Sequence, residues 1–286
     1  MSKSNCNLPI GLFDSGLGGL TVLDKLRSWL PGESYIYLGD TARYPYGTKS
    51  PATLIRYARE CARFLRCMPV KLVVIACNSA SAIALNTLEE ELDIPVVGAI
   101  MPVVRQAVKE DASRIGVIGT QATIGSNVYQ RLLNKEVRPG FIKAVACPLF
   151  VPLVEAGMLE GDIVSAVIQH HLRGLKEVGI DTLILGCTHY PLLKKEILNY
   201  LNNEVKVIES AEAIAYEVER ILGSMRMKSD AVSGTVAYYV TDEVSRFNFL
   251  AERFFEHGKV SASLIDLTDP VQTLSVVPSK AVGGIK

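Results

Sequence analysis

Leu72-Val73-Val74-Ile75-Ala76-Cys77-Asn78-Ser79 decides the fold, because it has a counterpart in Thr182-Leu183-Ile184-Leu185-Gly186-Cys187-Thr188-His189. Each is a short, β-branched, unbroken apolar run that stops at a cysteine and then turns polar. A run apolar at every position suits a strand covered on both faces, as in a parallel sheet between helices. A second, shorter echo precedes each: Ile10-Gly11-Leu12-Phe13-Asp14-Ser15 resembles Ile115-Gly116-Val117-Ile118-Gly119-Thr120, and the cysteine runs follow roughly 60 to 70 residues later. Two similar units arranged about a shared cleft would produce this pattern.

Working outward, further strand-like runs are Tyr35–Leu38, Pro95–Ile100, Ile142–Ala146, Val205–Ile208 and, beyond a polar stretch at Ser224–Gly234, Val236–Val240. Between them Pro51–Cys67 and Asp162–Val178 carry apolar residues at helical spacing, and Ser50-Pro51 is a good helix opening. Arg246–Glu256 reads as an amphipathic helix and Asp269–Lys286 as a tail without periodicity. Strand-helix alternation of this kind predicts an α/β protein with two pseudo-symmetric domains, each a mainly parallel sheet flanked by helices, with the active site in the cleft between them. The boundary is expected near Met101-Pro102, with residues 1–100 and a returning 210–286 in the first domain and 101–209 in the second.

The 286 residues are about right for two modest cores, and 49% are hydrophobic. Thirty basic and thirty acidic residues balance to a formal net charge of zero, with no basic run, so nucleic acid is not an expected partner. Residues 1–9 lack the apolar core of a signal peptide, and no apolar stretch reaches the roughly 20 residues that span a bilayer. A soluble, cytoplasmic chain without a membrane partner is expected. Six cysteines in such a chain, with no Cys-x-x-Cys pair, argue against a disulfide framework.

Chemistry is expected at Cys77 and Cys187. Each ends a buried-type strand, where open α/β sheets bind ligands, and each opens the turn to a helix, whose positive end lowers a thiol pKa from about 8.5 toward neutrality. A single buried cysteine is usually a small apolar filler; two in matched positions are not. Asn78, Ser79 and Thr188 sit where side chains cap helices, and the same groups can hold a ligand carboxylate. His189, two residues after Cys187, could polarise or transfer a proton. Asp14-Ser15-Gly16-Leu17-Gly18-Gly19-Leu20 offers a carboxylate, a hydroxyl and flexible glycines at another strand end, although it lacks a Gly-x-Gly-x-x-Gly or Walker pattern. Tyr44-Pro45-Tyr46-Gly47 could cover a ligand. Cys, Cys and His could also bind zinc, but the paired spacing of structural sites is absent, so no metal is expected.

The segments Ile10–Gly19, Gly39–Gly47, Ala76–Ala80 and Gly186–Leu193 together resemble the glutamate racemases, within the cofactor-independent aspartate/glutamate racemase family. The resemblance runs in order from about Ile10 to Glu256; Ser79 stands where the family usually has Thr, keeping the hydroxyl. It implies that Cys77 and Cys187 are the acid/base thiols on opposite faces of the substrate α-carbon, Cys77 acting on D-glutamate and Cys187 on L-glutamate. Asp14 and His189 would assist the nearer thiol, and Glu155, within Pro148–Gly157, would orient the histidine. Asp14, Ser15, Tyr46, Gly47, Asn78, Ser79, Thr188 and His189 would contact substrate. No cofactor, a homodimer and a role in peptidoglycan synthesis are likewise implied. A binding protein for small acidic ligands would share the halves and the cleft, but it would not require paired thiols.

Overall fold

The computed structural model describes residues 6–255 and 259–268; the tail read from Asp269 onward lies outside them. Among the described residues ten strands form two sheets. The first contains β1 (Ile10–Asp14), β2 (Tyr35–Gly39), β3 (Leu72–Ile75), β4 (Val96–Gly98), β9 (Val236–Val240) and β10 (Ala262–Leu264), in the order β10-β9-β2-β1-β3-β4. The second contains β5 (Arg114–Gly119), β6 (Phe141–Ala146), β7 (Thr182–Gly186) and β8 (Lys206–Glu209), in the order β6-β5-β7-β8. Every pairing is parallel. Strand for strand, β2-β1-β3-β4 and β6-β5-β7-β8 have the same winding, so the echoes in the sequence mark equivalent strands of two like sheets. Strand β10 has no counterpart among the sequence-predicted strands; it is three residues long and half exposed, too short to leave a pattern.

The continuous apolar runs follow from burial on both faces. Ile10, Leu12, Leu72 and Val74 enter one core with helices α1 (Leu20–Trp29) and α10 (Ser210–Ser224), while Phe13, Val73 and Ile75 enter another with α2 (Pro51–Cys67) and α3 (Asn78–Glu91). In the second sheet Ile118, Leu183 and Leu185 face α7 (Phe150–Glu155) and α8 (Asp162–Val178). Ile115, Val117 and Ile184 face α4 (Ile100–Lys109) and α6 (Val128–Glu136). The predicted strand Pro95–Ile100 is cut short because Ile100 already begins α4, which runs through position 101 without a loop. Helix α2 opens as its sequence predicts, with Pro51 in the first turn and the Ser50 hydroxyl accepting from Thr53 N at 3.4 Å. Among the described residues no helix is long and apolar enough to cross a membrane.

The stretch read as a polar linker is tied down. Lys71, 3% exposed, donates to Cys6 O at 2.5 Å and Met227 O at 2.9 Å and pairs with the buried Glu33 carboxylate. Glu33 in turn accepts from Ser229 N at 2.8 Å. One ammonium thus binds three segments at the end of the first sheet opposite Cys77. Truncating one partner of a buried pair strands the other charge. Lys71→Met should therefore lower unfolding free energy by about 3–5 kcal/mol in urea titrations, and adding Glu33→Leu should recover most of it.

Candidate active site

Parallel strands bring the turns after β1, β3, β5 and β7 to one end, where the two sheets face each other. A cavity of about 110 Å³ lies between them. Ser15, Tyr46, Gly47, Cys77, Asn78, Ser79, Cys187, Thr188 and His189 all line it, while Asp14 and Glu155 stand behind its wall. A larger concavity of about 500 Å³ on α1, α4 and α10 has neither thiol nor imidazole in its lining.

The two thiols have different neighbours. Cys187 Sγ is 3.9 Å from His189 Nδ1, and His189 Nε2 is 2.9 Å from Glu155 Oε1. Burial alone would lower the histidine pKa, but the bonds to Cys187 and Glu155 outweigh it and raise it from 6.5 to about 10. On the other side, complete burial and then the nearby Asp14 carboxylate push the Cys77 thiol up to about 12. The helix-dipole expectation of a lowered pKa therefore fails for Cys77, because desolvation and a like charge exceed the dipole. Asp14 is itself fully buried, and its pKa is raised by desolvation despite His189 and hydrogen bonds from Gly16 N at 3.0 Å and Thr188 Oγ1 at 3.3 Å.

Capping is also not what the flanking residues do. Helix α3 has no side-chain cap. Asn78 Nδ2 donates to Ser210 Oγ at 3.1 Å, and Ser79 Oγ lies 2.8 Å from Thr120 Oγ1. Thr188 is followed by a 3-10 turn, Tyr190–Leu193, before α9 (Lys194–Tyr200) begins. These side chains face across the cleft instead of along their own backbone.

The glycine turn is built for close approach. A Cβ on Gly18 would lie 2.4 Å from Thr188 Oγ1 and 2.5 Å from His189 Nδ1, so only glycine lets the first turn press against the second. Thr21 Oγ1 fastens the contact by donating to Thr188 O at 3.2 Å. In the aromatic loop the Tyr46 hydroxyl donates to the buried Asp40 carboxylate, which also takes bonds from Arg43 Nε at 2.7 Å and Thr241 Oγ1 at 3.0 Å. Gly47 rests on Thr120, where a Cβ would stand 2.6 Å from the threonine Cβ. Tyr46 is thus 1% exposed, with its hydroxyl turned from the cavity.

Sequence reasoning did not single out Thr48, Thr120, Gln121, Pro148, Val151 and Pro152, which complete the lining with Tyr44 and Pro45. Thr120 was findable, since it is the repeat counterpart of Ser15. Pro148, Val151 and Pro152 fall in the stretch around Glu155 but carry no chemistry of their own, and nothing marks Gln121.

The raised histidine pKa has a consequence for stability. A group whose pKa is higher folded than unfolded contributes stability that is complete below its unfolded value and is lost as pH rises through its folded value. For His189 that window runs from about 6.5 to about 10. Denaturation midpoints of the wild type should fall across it, and His189→Asn should flatten the decline.

The whole described fold has close counterparts. Residues 10–218 match the Asp/Glu/Hydantoin racemase family. Glutamate racemase of Aquifex aeolicus is 50% identical over 236 residues, covering 82% of this chain and 89% of that one. Among solved structures, a glutamate racemase isoform of Bacillus anthracis superposes with a TM-score of 0.88 at 39% identity, covering 91% of this chain and 98% of its own. Glutamate racemase of Francisella tularensis, in complex with D-glutamate, has a TM-score of 0.86 at 37% identity, covering 92% and 98%. Two like parallel sheets meeting at a thiol-lined cavity are thus joined to sequence identity over most of the chain, and the chain belongs to the Asp/Glu/hydantoin racemase family, among its glutamate racemases.

Proposed function

We propose that the chain interconverts L- and D-glutamate by two-base proton transfer between Cys187 and Cys77, supplying D-glutamate for peptidoglycan synthesis in the cytoplasm. One observation carries this: two thiols at equivalent strand ends of two like sheets line a single cavity, each with its own acid/base partner. Inverting a carbon acid needs a base on one face and an acid on the other, and identical groups serve both directions. The relative of known structure with D-glutamate bound supports the ligand.

In the L-to-D direction Cys187 thiolate takes the α-proton, with the His189 imidazolium, itself held by Glu155, balancing its charge, and Cys77, kept protonated by burial and Asp14, delivers its proton to the opposite face. The turnover leaves Cys187 as thiol and Cys77 as thiolate, the state that takes the proton from D-glutamate. The α-proton is far less acidic than a thiol, so donors fixed around the α-carboxylate must stabilise the carbanion-like transition state. Ser15, Asn78, Ser79 and Thr188 are the proposed donors, with Tyr46 and Gly47 walling the site. No cofactor and no metal takes part in this scheme. Residues 1–100 with 210–286, and 101–209, are proposed as the two domains whose relative movement opens the cleft, and a homodimer as the assembled form.

Cys77→Ser and Cys187→Ser should each lower kcat/KM by about a thousandfold, followed by circular dichroism on the purified protein. In D₂O the wild type should place deuterium in the product at Cα. Normal turnover by either variant would sink the two-thiol scheme, and ligand affinity that survives loss of either thiol in a protein that places no deuterium at Cα would point to a binding protein. Aspartate is the competing substrate, because one methylene fewer changes only the reach to the distal carboxylate. The chain should turn over D-glutamate at least tenfold faster than D-aspartate, in line with one methylene contributing roughly 1–3 kcal/mol to discrimination.

A further inference from the structure

Tyr129, on α6, is completely buried, yet the proton-transfer scheme makes no use of it. Its ring lies against Gly186: a Cβ built there would stand 3.1 Å from the ring Cε2 and 2.8 Å from Ile118 O. Gly186 directly precedes Cys187. At its other end the Tyr129 hydroxyl donates to Asn78 Oδ1 at 2.7 Å, and Asn78 directly follows Cys77. One side chain therefore touches the neighbours of both thiols.

Ser210, the first residue of α10, joins this contact. Asn78 Nδ2 donates to Ser210 Oγ at 3.1 Å, and Ser210 Oγ also lies 3.4 Å from Asn78 Oδ1. The three side chains are 0%, 2% and 3% exposed for Tyr129, Asn78 and Ser210. Burial raises the Tyr129 pKa, so the phenol remains a donor across the working pH range.

A primary amide has two N–H donors and one carbonyl acceptor. With Tyr129 on the oxygen and Ser210 on one N–H, the second N–H is left for the cavity that Asn78 lines. The members come from α3, α6 and α10, so the chain of bonds forms only when helices from both sheets are docked. A freely rotating amide would present oxygen to a carboxylate as readily as nitrogen; a locked one presents only the donor.

We infer that Tyr129 and Ser210 are positioning residues that lock the Asn78 amide with its free N–H toward the substrate carboxylate, tying donor geometry to docking of the two halves. This rests on the reading of Asn78 as a substrate contact. The alternative role for Tyr129 is to fill space in the core, and Tyr129→Phe separates the two because it keeps the ring and removes only the hydroxyl.

Tyr129→Phe should lower kcat/KM for glutamate roughly tenfold, the scale of one hydrogen bond aimed at a charged group. On an Asn78→Ala background the same change should alter kcat/KM less than twofold, because nothing remains to be positioned. Ser210→Ala should behave as Tyr129→Phe does, with Ser210→Thr restoring activity. Activity within twofold of wild type in Tyr129→Phe, or an equal fold-loss on both backgrounds, would overturn the inference. If Tyr129→Phe fails to fold, the Ser210→Ala cycle decides alone. The cysteine variants keep the two questions apart: essential thiols with a silent or additive Tyr129→Phe would refute the positioning role only, whereas dispensable thiols would refute the racemase scheme itself.

Discussion

Under the proposed two-thiol chemistry two proton-carrying groups must meet one carbon from opposite sides, and the pairing of two like sheets suits that constraint. A single parallel sheet presents its strand ends in one direction, so it can supply a group to one face only. A second like sheet, turned toward the first, supplies the other. The two cysteines then occupy equivalent positions not for symmetry's sake but because the strand end is where a parallel sheet offers side chains to a ligand. The close approach of Gly18 to Thr188 and His189 brings the two sets of strand ends within reach of a cavity of about 110 Å³.

Burial sets the electrostatic terms. Both thiols, Asp14 and His189 are nearly or wholly removed from water, and desolvation penalises whichever form is charged. On one side the response is neutrality: Cys77 and Asp14 are both pushed up, so a proton is held near the first face. On the other the response is pairing: His189, between Cys187 and Glu155, keeps its charge because a sulfur and a carboxylate flank it. Like residues thus sit in unlike environments, Cys77 near a carboxylate and Cys187 beside an imidazole. That asymmetry is invisible in the repeat, which aligns the cysteines but not Asp14 with Glu155.

The sequence foretold most of the fold because strands buried on both faces leave the strongest apolar signal. Nine strands and helices α2 and α8 fall within a residue or two of where the periodicity puts them. It was silent on β10, whose three half-exposed residues form no pattern. The segment after Ser224 is the connection without helix or strand that its composition predicts, but the bonds that hold it come from Lys71 and Glu33, far away in the chain. At the site, spacing placed Cys77, Cys187 and His189 at strand ends, while the part of Glu155 came only through family resemblance. What the sequence hid was direction. Asn78, Ser79 and Thr188 have the composition of caps, yet their partners are Ser210, Thr120 and Asp14. Local propensity cannot compete with a partner that arrives through tertiary packing.

That outward direction matters because polar groups at a parallel strand end would otherwise satisfy themselves locally and leave nothing for a ligand. Here each half completes the hydrogen bonding of the other: Thr188 bonds Asp14, Ser79 meets Thr120 and Tyr129 holds Asn78. Opening the cleft would expose these groups to water, which can replace their partners at small net cost. Closing it expels water and strengthens every bond that remains. In the proposed scheme the same contacts would let the halves separate for exchange of ligand and would fix the donors once they meet.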